Sequence, residues 1–295
     1  MKKLSLVICL VMILGTVLFS CGGRSYKAFT VDPDYKPDES AKTTATVQDF
    51  DGNKIEIKKN IEKIVCFSPE AAIIIRGLGG QRLISATDEE TTNAIISNNV
   101  ITEDQIASEN PDIVFISDTY TADLGDVPCI RIPTPLSISD TKTLITIAEK
   151  VLASKKDSYA DEIDKQISIV QSATSEYVSR FPVFIDLGSL NTSGTGTYIN
   201  EIINICGGEN IFGDKEGYFT ATKEDIIAAN PTFIFTTDNT TVYTRDREFR
   251  TLDCVMNGRV IKIEPAKIKY ASQNIADIIP TIFNEINNYK NSVSN

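Results

Sequence analysis

The chain has 295 residues and 42% of them are hydrophobic, which is enough apolar material for one or two domains with buried cores. Its formal net charge of −11 argues against a nucleic-acid partner. It contains no histidine, which excludes Ser-His-Asp triads, Cys-His pairs and histidine-based zinc sites.

A secretory signal is predicted at the N-terminus. Lysines follow Met1, the stretch from Leu4 to Phe19 is almost entirely apolar, and Leu18-Phe-Ser-Cys21 closes it. These four residues resemble the lipobox of bacterial lipoproteins, where cleavage precedes a cysteine that carries the lipid. An uncleaved anchor helix is the alternative, but the apolar run is short for a membrane span. We therefore predict a signal peptide over 1–20, lipidation of Cys21, and a body anchored at the extracytoplasmic face of the cell membrane.

A flexible, lipidated tether over 21–44 and an N-terminal α/β lobe over 45–153 are predicted next. The tether is polar and contains two prolines. A hairpin is predicted around Asp51-Gly-Asn53, and Ser68-Pro-Glu70 has the residue types of a helix start. The predicted strands of this lobe are Ile64–Phe67, Leu83–Ala86, Asp112–Ser117 and Pro128–Pro133, and the predicted helix Ser137–Leu152 follows them.

One long helix over 154–181 is predicted to join this lobe to a second one. Apolar residues recur there at helical spacing without glycine or proline, so a continuous helix would be about 35–40 Å long. A C-terminal α/β lobe is predicted over 182–295. Its predicted elements include strands Pro182–Asp186 and Arg259–Ile263 and helices Thr197–Cys206 and Ile275–Tyr289.

A duplicated segment indicates that the two lobes are related. Ile106–Asp118 and Ile226–Asp238 align at constant offset, and both contain Asn-Pro. Each copy predicts a short helix that ends at Asn-Pro, because proline disfavours helical backbone before it, and then a buried strand. Alternating strands and helices predict mostly parallel sheets, whose ligands bind beyond the carboxyl ends of the strands. The loops expected to line a cleft are 68–70, 87–89, 118–121 and 133–135 in the first lobe and 187–197, 238–245 and 265–270 in the second.

Two local features have more than one interpretation. Gly194-Thr-Gly196 is either an anion cradle of backbone N–H groups or, the preferred interpretation, a turn that needs glycine. Four cysteines are interpreted as buried thiols, with two disulfides as the alternative in an exported protein. No catalytic residue, resident cofactor or metal site is predicted. The cysteines are Cys66, Cys129, Cys206 and Cys254.

From Val47 to Tyr289 the chain resembles the substrate-binding lipoproteins of ABC importers for ferric siderophores, cobalamin and haem. The resemblance implies two Rossmann-like lobes joined by one long helix, and a non-enzymatic, monomeric protein. Such a protein captures a metal chelate between its lobes and delivers it to a permease dimer with ATPase subunits. A structural or adhesive surface lipoprotein, or an enzyme on the same scaffold, is the alternative interpretation. The stretches that carry the resemblance are Lys63–Pro69, Ile106–Asp118, Gly194–Ile199, Ile205–Asn210, Ile226–Asp238 and Asn257–Val260.

The resemblance also suggests site residues. Tyrosines near the cleft loops are expected to stack on a corrin or catecholate or to ligate haem iron, and Arg245 is expected to pair with carboxylates of an anionic chelate. The residues expected to bind ligand are Ser68, Pro69, Asp88, Tyr120, Thr195, Tyr198, Tyr243, Arg245 and Tyr270.

In this family one glutamate on each lobe docks onto arginines of the permease. Glu201 matches the pattern of the second lobe. In the first lobe the matching position is Ile73, which departs from the pattern, and Glu70 lies one turn earlier on the same helix face. We therefore predict docking through Glu70 and Glu201. The alternative for Glu70 is a favourable charge at a helix N-terminus only.

Overall fold

The structure is a computed structural model, and it describes residues 44–121 and 123–293. The predicted signal peptide, Cys21 and nearly all of the predicted tether lie outside these ranges. Within them, no helix combines the length and the apolar composition needed to cross a membrane.

The described part begins with the predicted hairpin. Strands Thr44–Gln48 and Lys54–Lys58 pair antiparallel, with Val47 opposite Ile55. Asp49 closes the turn by accepting a hydrogen bond from the backbone N–H of Asn53 at 2.7 Å. Val47 and Ile57 are buried, so one face of the hairpin packs onto the core.

A four-stranded parallel sheet follows, as predicted for the first lobe. Its two central strands are almost entirely buried, which is expected when helices cover both faces of a parallel sheet. Every strand lies within two residues of its predicted bounds. In spatial order the strands are Ile84–Thr87, Ile64–Phe67, Ile113–Ser117 and Cys129–Ile132.

The second half contains another four-stranded parallel sheet with the same layout. In both sheets the first strand along the chain pairs with the second and the third, and the fourth lies at the edge beyond the third. The related α/β lobes predicted from the duplicated segment are therefore confirmed. The strands, in the matching spatial order, are Gly208–Asn210, Phe181–Asp186, Phe233–Thr236 and Val260–Lys262.

The two repeat copies occupy equivalent places in the two sheets. Phe115 and Phe235 are fully buried on the third strand of their sheets. Asn110 and Asn230 both take the left-handed backbone conformation, with φ of 47° and 45°. Asparagine tolerates this conformation better than most residues, so each ends a helix immediately before its proline.

The helix starts follow from side-chain caps. The hydroxyl groups of Ser68, Ser137 and Thr197 each accept a hydrogen bond from the backbone N–H three residues later, at 3.0–3.3 Å. The α-helices of the described residues are Pro69–Gly77, Glu89–Ile95, Ile138–Val151, Tyr159–Thr174, Tyr198–Ile205, Lys223–Ala229, Thr241–Arg245, Asp253–Met256, Pro265–Ile268 and Ile275–Val293, and 3₁₀ turns cover Gln81–Leu83, Glu103–Gln105, Ala107–Glu109 and Phe249–Thr251.

The connecting helix is shorter than predicted. It has 16 residues, Tyr159–Thr174, and is therefore about 24 Å long. Ser158 caps it by accepting from the N–H of Ala160, while Glu149 of the preceding helix accepts from the Ser158 hydroxyl at 3.0 Å. Because this cap holds Ser158 in an extended conformation, the helix cannot continue back towards residue 154.

The long polar loop predicted in the second lobe is partly a strand. Asn191–Ser193 pairs antiparallel with Tyr218–Thr220. Between this strand and the next helix, Gly194 approaches the backbone so closely that a Cβ there would lie 1.9 Å from the carbonyl oxygen of Lys215. This contact supports the turn interpretation of Gly194-Thr-Gly196. The four cysteines of the described ranges are free thiols, so the alternative of two disulfides is not realised.

Candidate functional site

A cavity of about 300 Å³ lies where the two halves of the described chain meet. We call it the cleft cavity. Several of its lining residues directly follow strands, as Leu187 follows Phe181–Asp186 and Pro133 follows Cys129–Ile132, which is where parallel sheets place ligands. The lining residues are Glu70, Glu90 and Pro133–Leu136 from the first half and Leu187, Asn191, Tyr198, Tyr218 and Lys269–Ala271 from the second.

Three tyrosines form the aromatic part of the lining: Tyr198, Tyr218 and Tyr270. Tyr198 is only 3% exposed, and its hydroxyl donates to the carbonyl oxygen of Ile268. Tyr218 is 46% exposed and presents its ring to the cavity from the short antiparallel strand. Burial raises the pKa of all three tyrosines, so each is a neutral phenol at neutral pH.

The charged part of the lining consists of Glu70, Glu90 and Lys269. Glu70 is partly buried, and its Oε2 accepts a hydrogen bond from the Ser68 hydroxyl at 2.9 Å. Burial raises the pKa of Glu70 above its usual value, and the nearby charges of Glu90 and Asp88 raise it further. The ammonium of Lys269 lies 5.2 Å from the centroid of the Tyr270 ring, within the range of a cation–π interaction.

The raised pKa of Glu70 predicts a pH-dependent effect of the substitution Glu70→Gln. The carboxyl group of Glu70 binds its proton more tightly in the folded protein than in the unfolded chain. Ionised Glu70 therefore destabilises the fold at neutral pH. That cost diminishes as pH falls through the raised pKa towards the ordinary value of about 4.5. We therefore expect Glu70→Gln to raise the melting temperature at pH 7 and to lose this advantage near pH 4, as measured by circular dichroism. Glu89→Gln, an exposed neighbour, is the control, and a lower melting temperature of Glu70→Gln at pH 7 would contradict the prediction.

Two of the nine predicted ligand-binding residues, Tyr198 and Tyr270, line the cleft cavity. The others do not. Ser68 and Pro69 are buried at the start of the helix that presents Glu70. The Tyr120 hydroxyl donates to the Asp88 carboxylate, which also caps the helix Glu89–Ile95. Thr195 and Arg245 are exposed residues outside the lining.

Tyr243 belongs to the core of the second half and not to a cleft wall. It is 0% exposed, its ring lies 4.8 Å from that of Phe249, and its hydroxyl donates to Asp186 at 2.7 Å. The predicted loop folds here into the helix Thr241–Arg245, which turns the tyrosine inward. A ligand in the cleft cavity cannot reach this side chain.

Glu90 and Lys269 are lining residues that the sequence analysis did not select, and Tyr218 is one that it counted only among the tyrosines near the cleft loops. Glu90 lies in the first turn of the short helix Glu89–Ile95, which the sequence analysis did not predict, and Tyr218 lies on a three-residue strand. Lys269 lies within the predicted cleft loop 265–270, immediately before Tyr270, so its place in that loop was the one available indication.

The two predicted docking glutamates have partners within the chain. Glu70 accepts a hydrogen bond from the Ser68 hydroxyl and lines the cleft cavity. Glu201 accepts a hydrogen bond at 2.9 Å from the backbone N–H of Ile138, at the N-terminus of the helix Ile138–Val151. This bond links the two halves beside the cavity, where the N–H of Tyr198 also donates to the carbonyl oxygen of Leu136. The docking roles stay predictions, and Glu201 would have to exchange its internal bond for an external partner.

The chain has curated relatives but no matching family model. An uncharacterized ABC transporter substrate-binding lipoprotein of Bacillus subtilis, YvrC, is 23% identical, and the alignment covers 90% of this chain and 91% of YvrC. A vitamin B12-binding protein of Vibrio cholerae is also 23% identical, over 60% of this chain and 71% of its own length.

A solved structure shares the fold. The molybdate-bound periplasmic binding protein MolA of an ABC transporter from Haemophilus influenzae superposes with a TM-score of 0.68. The match covers 82% of this chain and 93% of MolA at 13% identity, so the likeness concerns the fold alone. It agrees with the two-lobe α/β architecture described above.

Proposed function

We infer that this chain is the substrate-binding protein of an ABC importer, and we propose that it captures a metal chelate and delivers it to a membrane permease. The chelate is a ferric siderophore, a cobalamin or a haem. The observation that carries this proposal is the cleft cavity, which lies between two lobes of matching topology and is lined by three tyrosines. Binding proteins of this kind receive their cargo in the space between two lobes.

The composition of the cavity suits a chelate. A chelate surrounds its metal with organic groups, so its outer surface offers flat apolar faces and hydrogen-bonding groups. Tyr218 and Tyr270 offer rings to such faces, and Pro133 and Leu136 offer apolar contacts opposite them. Asn191 adds an amide that can fix the orientation of a ligand.

The proposal extends to where the protein works. The predicted lipid on Cys21 would hold the body at the extracytoplasmic membrane face, and the relative YvrC is by name a lipoprotein. Release of the cargo requires the lobes to separate at the cavity. Beside the cavity the Glu201–Ile138 and Tyr198–Leu136 hydrogen bonds would oppose this step, as would the apolar core, which contains residues of both halves.

The accessible cavity also bears on the alternatives. A structural or adhesive lipoprotein would be expected to have a cleft filled by side chains, whereas this cleft contains a cavity of about 300 Å³. The relatives are transporter proteins and not enzymes.

The direct test is a binding titration of the mature protein with ferric siderophores, cobalamin and haem. The chain has no tryptophan, and three of its ten tyrosines line the cavity, so quenching of tyrosine fluorescence can report binding. We expect at least one of these classes to quench the fluorescence at micromolar protein and to form a one-to-one complex in native mass spectrometry. If none of the three classes binds, the proposed function is wrong.

A further inference from the structure

The cleft cavity carries an excess of negative charge. Of its lining residues, Glu70 and Glu90 are acidic and Lys269 alone is basic. The positive charge of Lys269 can neutralise at most one of the two carboxylates, and its ammonium already lies over the ring of Tyr270. A bound ligand therefore meets at least one carboxylate without a cationic partner in the cavity wall.

The two carboxylates are placed together by the sheet. Strands Ile64–Phe67 and Ile84–Thr87 are parallel neighbours, so the helices that follow them start at the same sheet edge. Glu70 and Glu90 both lie in the first turn of these helices. Asp88 adds a third negative charge nearby, but its oxygens are occupied by Tyr120 and by the backbone N–H of Thr91 at 2.8 Å.

The sequence analysis expects Arg245 to pair with an anionic chelate, but Arg245 does not line the cavity. Arg245 is exposed at the end of the helix Thr241–Arg245 and is not a lining residue. An anion in the cavity would thus lie close to the partly buried Glu70 and the exposed Glu90 with only Lys269 in the lining to compensate, which is unfavourable.

We propose that the cleft cavity selects its cargo by charge, taking a cationic or uncharged metal chelate and rejecting an anionic one. This inference rests on the proposed function. Ammonium or amide N–H groups on the chelate would face Glu70 and Glu90, while its apolar face packs against Tyr218 and Tyr270. The rejection of anions is the repulsive element that specificity between similar ligands commonly requires.

The experiment compares ligands that share one scaffold and differ in charge. The ferric complex of desferrioxamine B ends in a free ammonium group. Acetylation of this group gives an uncharged complex, and succinylation gives an anionic one. Cobalamin and a cobalamin monocarboxylic acid form a second matched pair. Binding to the mature full-length protein is measured by isothermal titration calorimetry in low salt.

We expect the anionic member of a bound series to bind at least about tenfold more weakly than its cationic or uncharged counterpart, the scale of one unfavourable charge contact. Glu90→Gln is expected to reduce this difference in affinity between the anionic and the other ligands several-fold. Glu70→Gln is expected to change it in the same direction. Glu89→Gln is the matched control, because Glu89 is the adjacent exposed glutamate outside the lining. It should leave the gap unchanged.

The outcomes separate the two proposals. Equal affinity for the anionic and cationic members would overturn the charge rule, as would a gap that Glu90→Gln leaves unchanged. If haem or a ferric catecholate, both anionic, binds while the uncharged and cationic probes do not, the proposed function stands and the charge rule fails. If no chelate of any charge binds, the proposed function itself fails, and the charge rule falls with it.

Discussion

Replacing Asp186 with alanine is expected to destabilise the protein by about 3–5 kcal/mol, because it leaves several buried hydrogen-bond donors without an acceptor. Asp186 is fully buried at the end of a central strand. Its Oδ1 accepts from the backbone N–H groups of Gly188 and Leu190, both at 2.9 Å. Its Oδ2 accepts from the hydroxyls of Thr236 and Tyr243, at 2.8 and 2.7 Å.

Chemical denaturation with urea, followed by circular dichroism, measures the loss. A loss of this size is a large part of the roughly 5–15 kcal/mol that stabilises a typical domain. Tyr243→Phe provides a graded comparison: it removes one of the four bonds, so it should cost about 1 kcal/mol. An Asp186→Ala variant no less stable than Tyr243→Phe would show that Asp186 does not organise this region.

Replacing Tyr218 with alanine is expected to weaken chelate binding by about ten- to a hundredfold, which corresponds to roughly 1.5–3 kcal/mol. Tyr218 is 46% exposed and lines the cleft cavity, so its exposed surface is available to a ligand. Tyr218 is more exposed than Tyr198, so its replacement is expected to disturb the fold less, and the melting curve checks this. The change in affinity therefore reports on ligand contact and not on unfolding.

The measurement is a fluorescence or calorimetric titration with whichever chelate the protein binds, accompanied by a melting curve. Tyr218→Phe keeps the ring and should retain most of the affinity. Val178→Ala, at a fully exposed position outside the cavity, should leave the affinity unchanged. Unaltered affinity of Tyr218→Ala would remove this tyrosine from the binding site. Tyr198 is unsuitable for this test, because it is buried and bonded to the backbone of Ile268.

Much of the layout could be predicted because local chemistry decides it. The Ser68 cap, the proline after it and the apolar run before it determine a strand followed by a helix wherever the chain lies in the molecule. The Asn-Pro stops at Asn110 and Asn230 are equally local. Since both halves contain the same order of such features, the duplicated lobes were predictable from sequence.

The connecting helix shows where local patterns become insufficient. Residues between 154 and 181 have helical spacing throughout, yet the helix begins at Tyr159. The deciding contact is between Ser158 and Glu149, which lies on the preceding helix. The packing of two helices sets this boundary, and the periodicity of one segment does not contain that information.

The sequence by itself determined the order of strands and helices, the duplication, and the edge of each sheet where a ligand would bind, because hydrophobic period, caps and proline act over a few residues. Only the tertiary structure decided which side chains reach that edge. Tyr243 and Tyr218 both lie close to predicted cleft loops. Tyr243 is buried in the core, where its hydroxyl donates to Asp186, whereas Tyr218 lies on a paired strand and lines the cavity. Glu70 and Glu90 are 20 positions apart in the chain, and they face the same cavity because two parallel strands pair side by side.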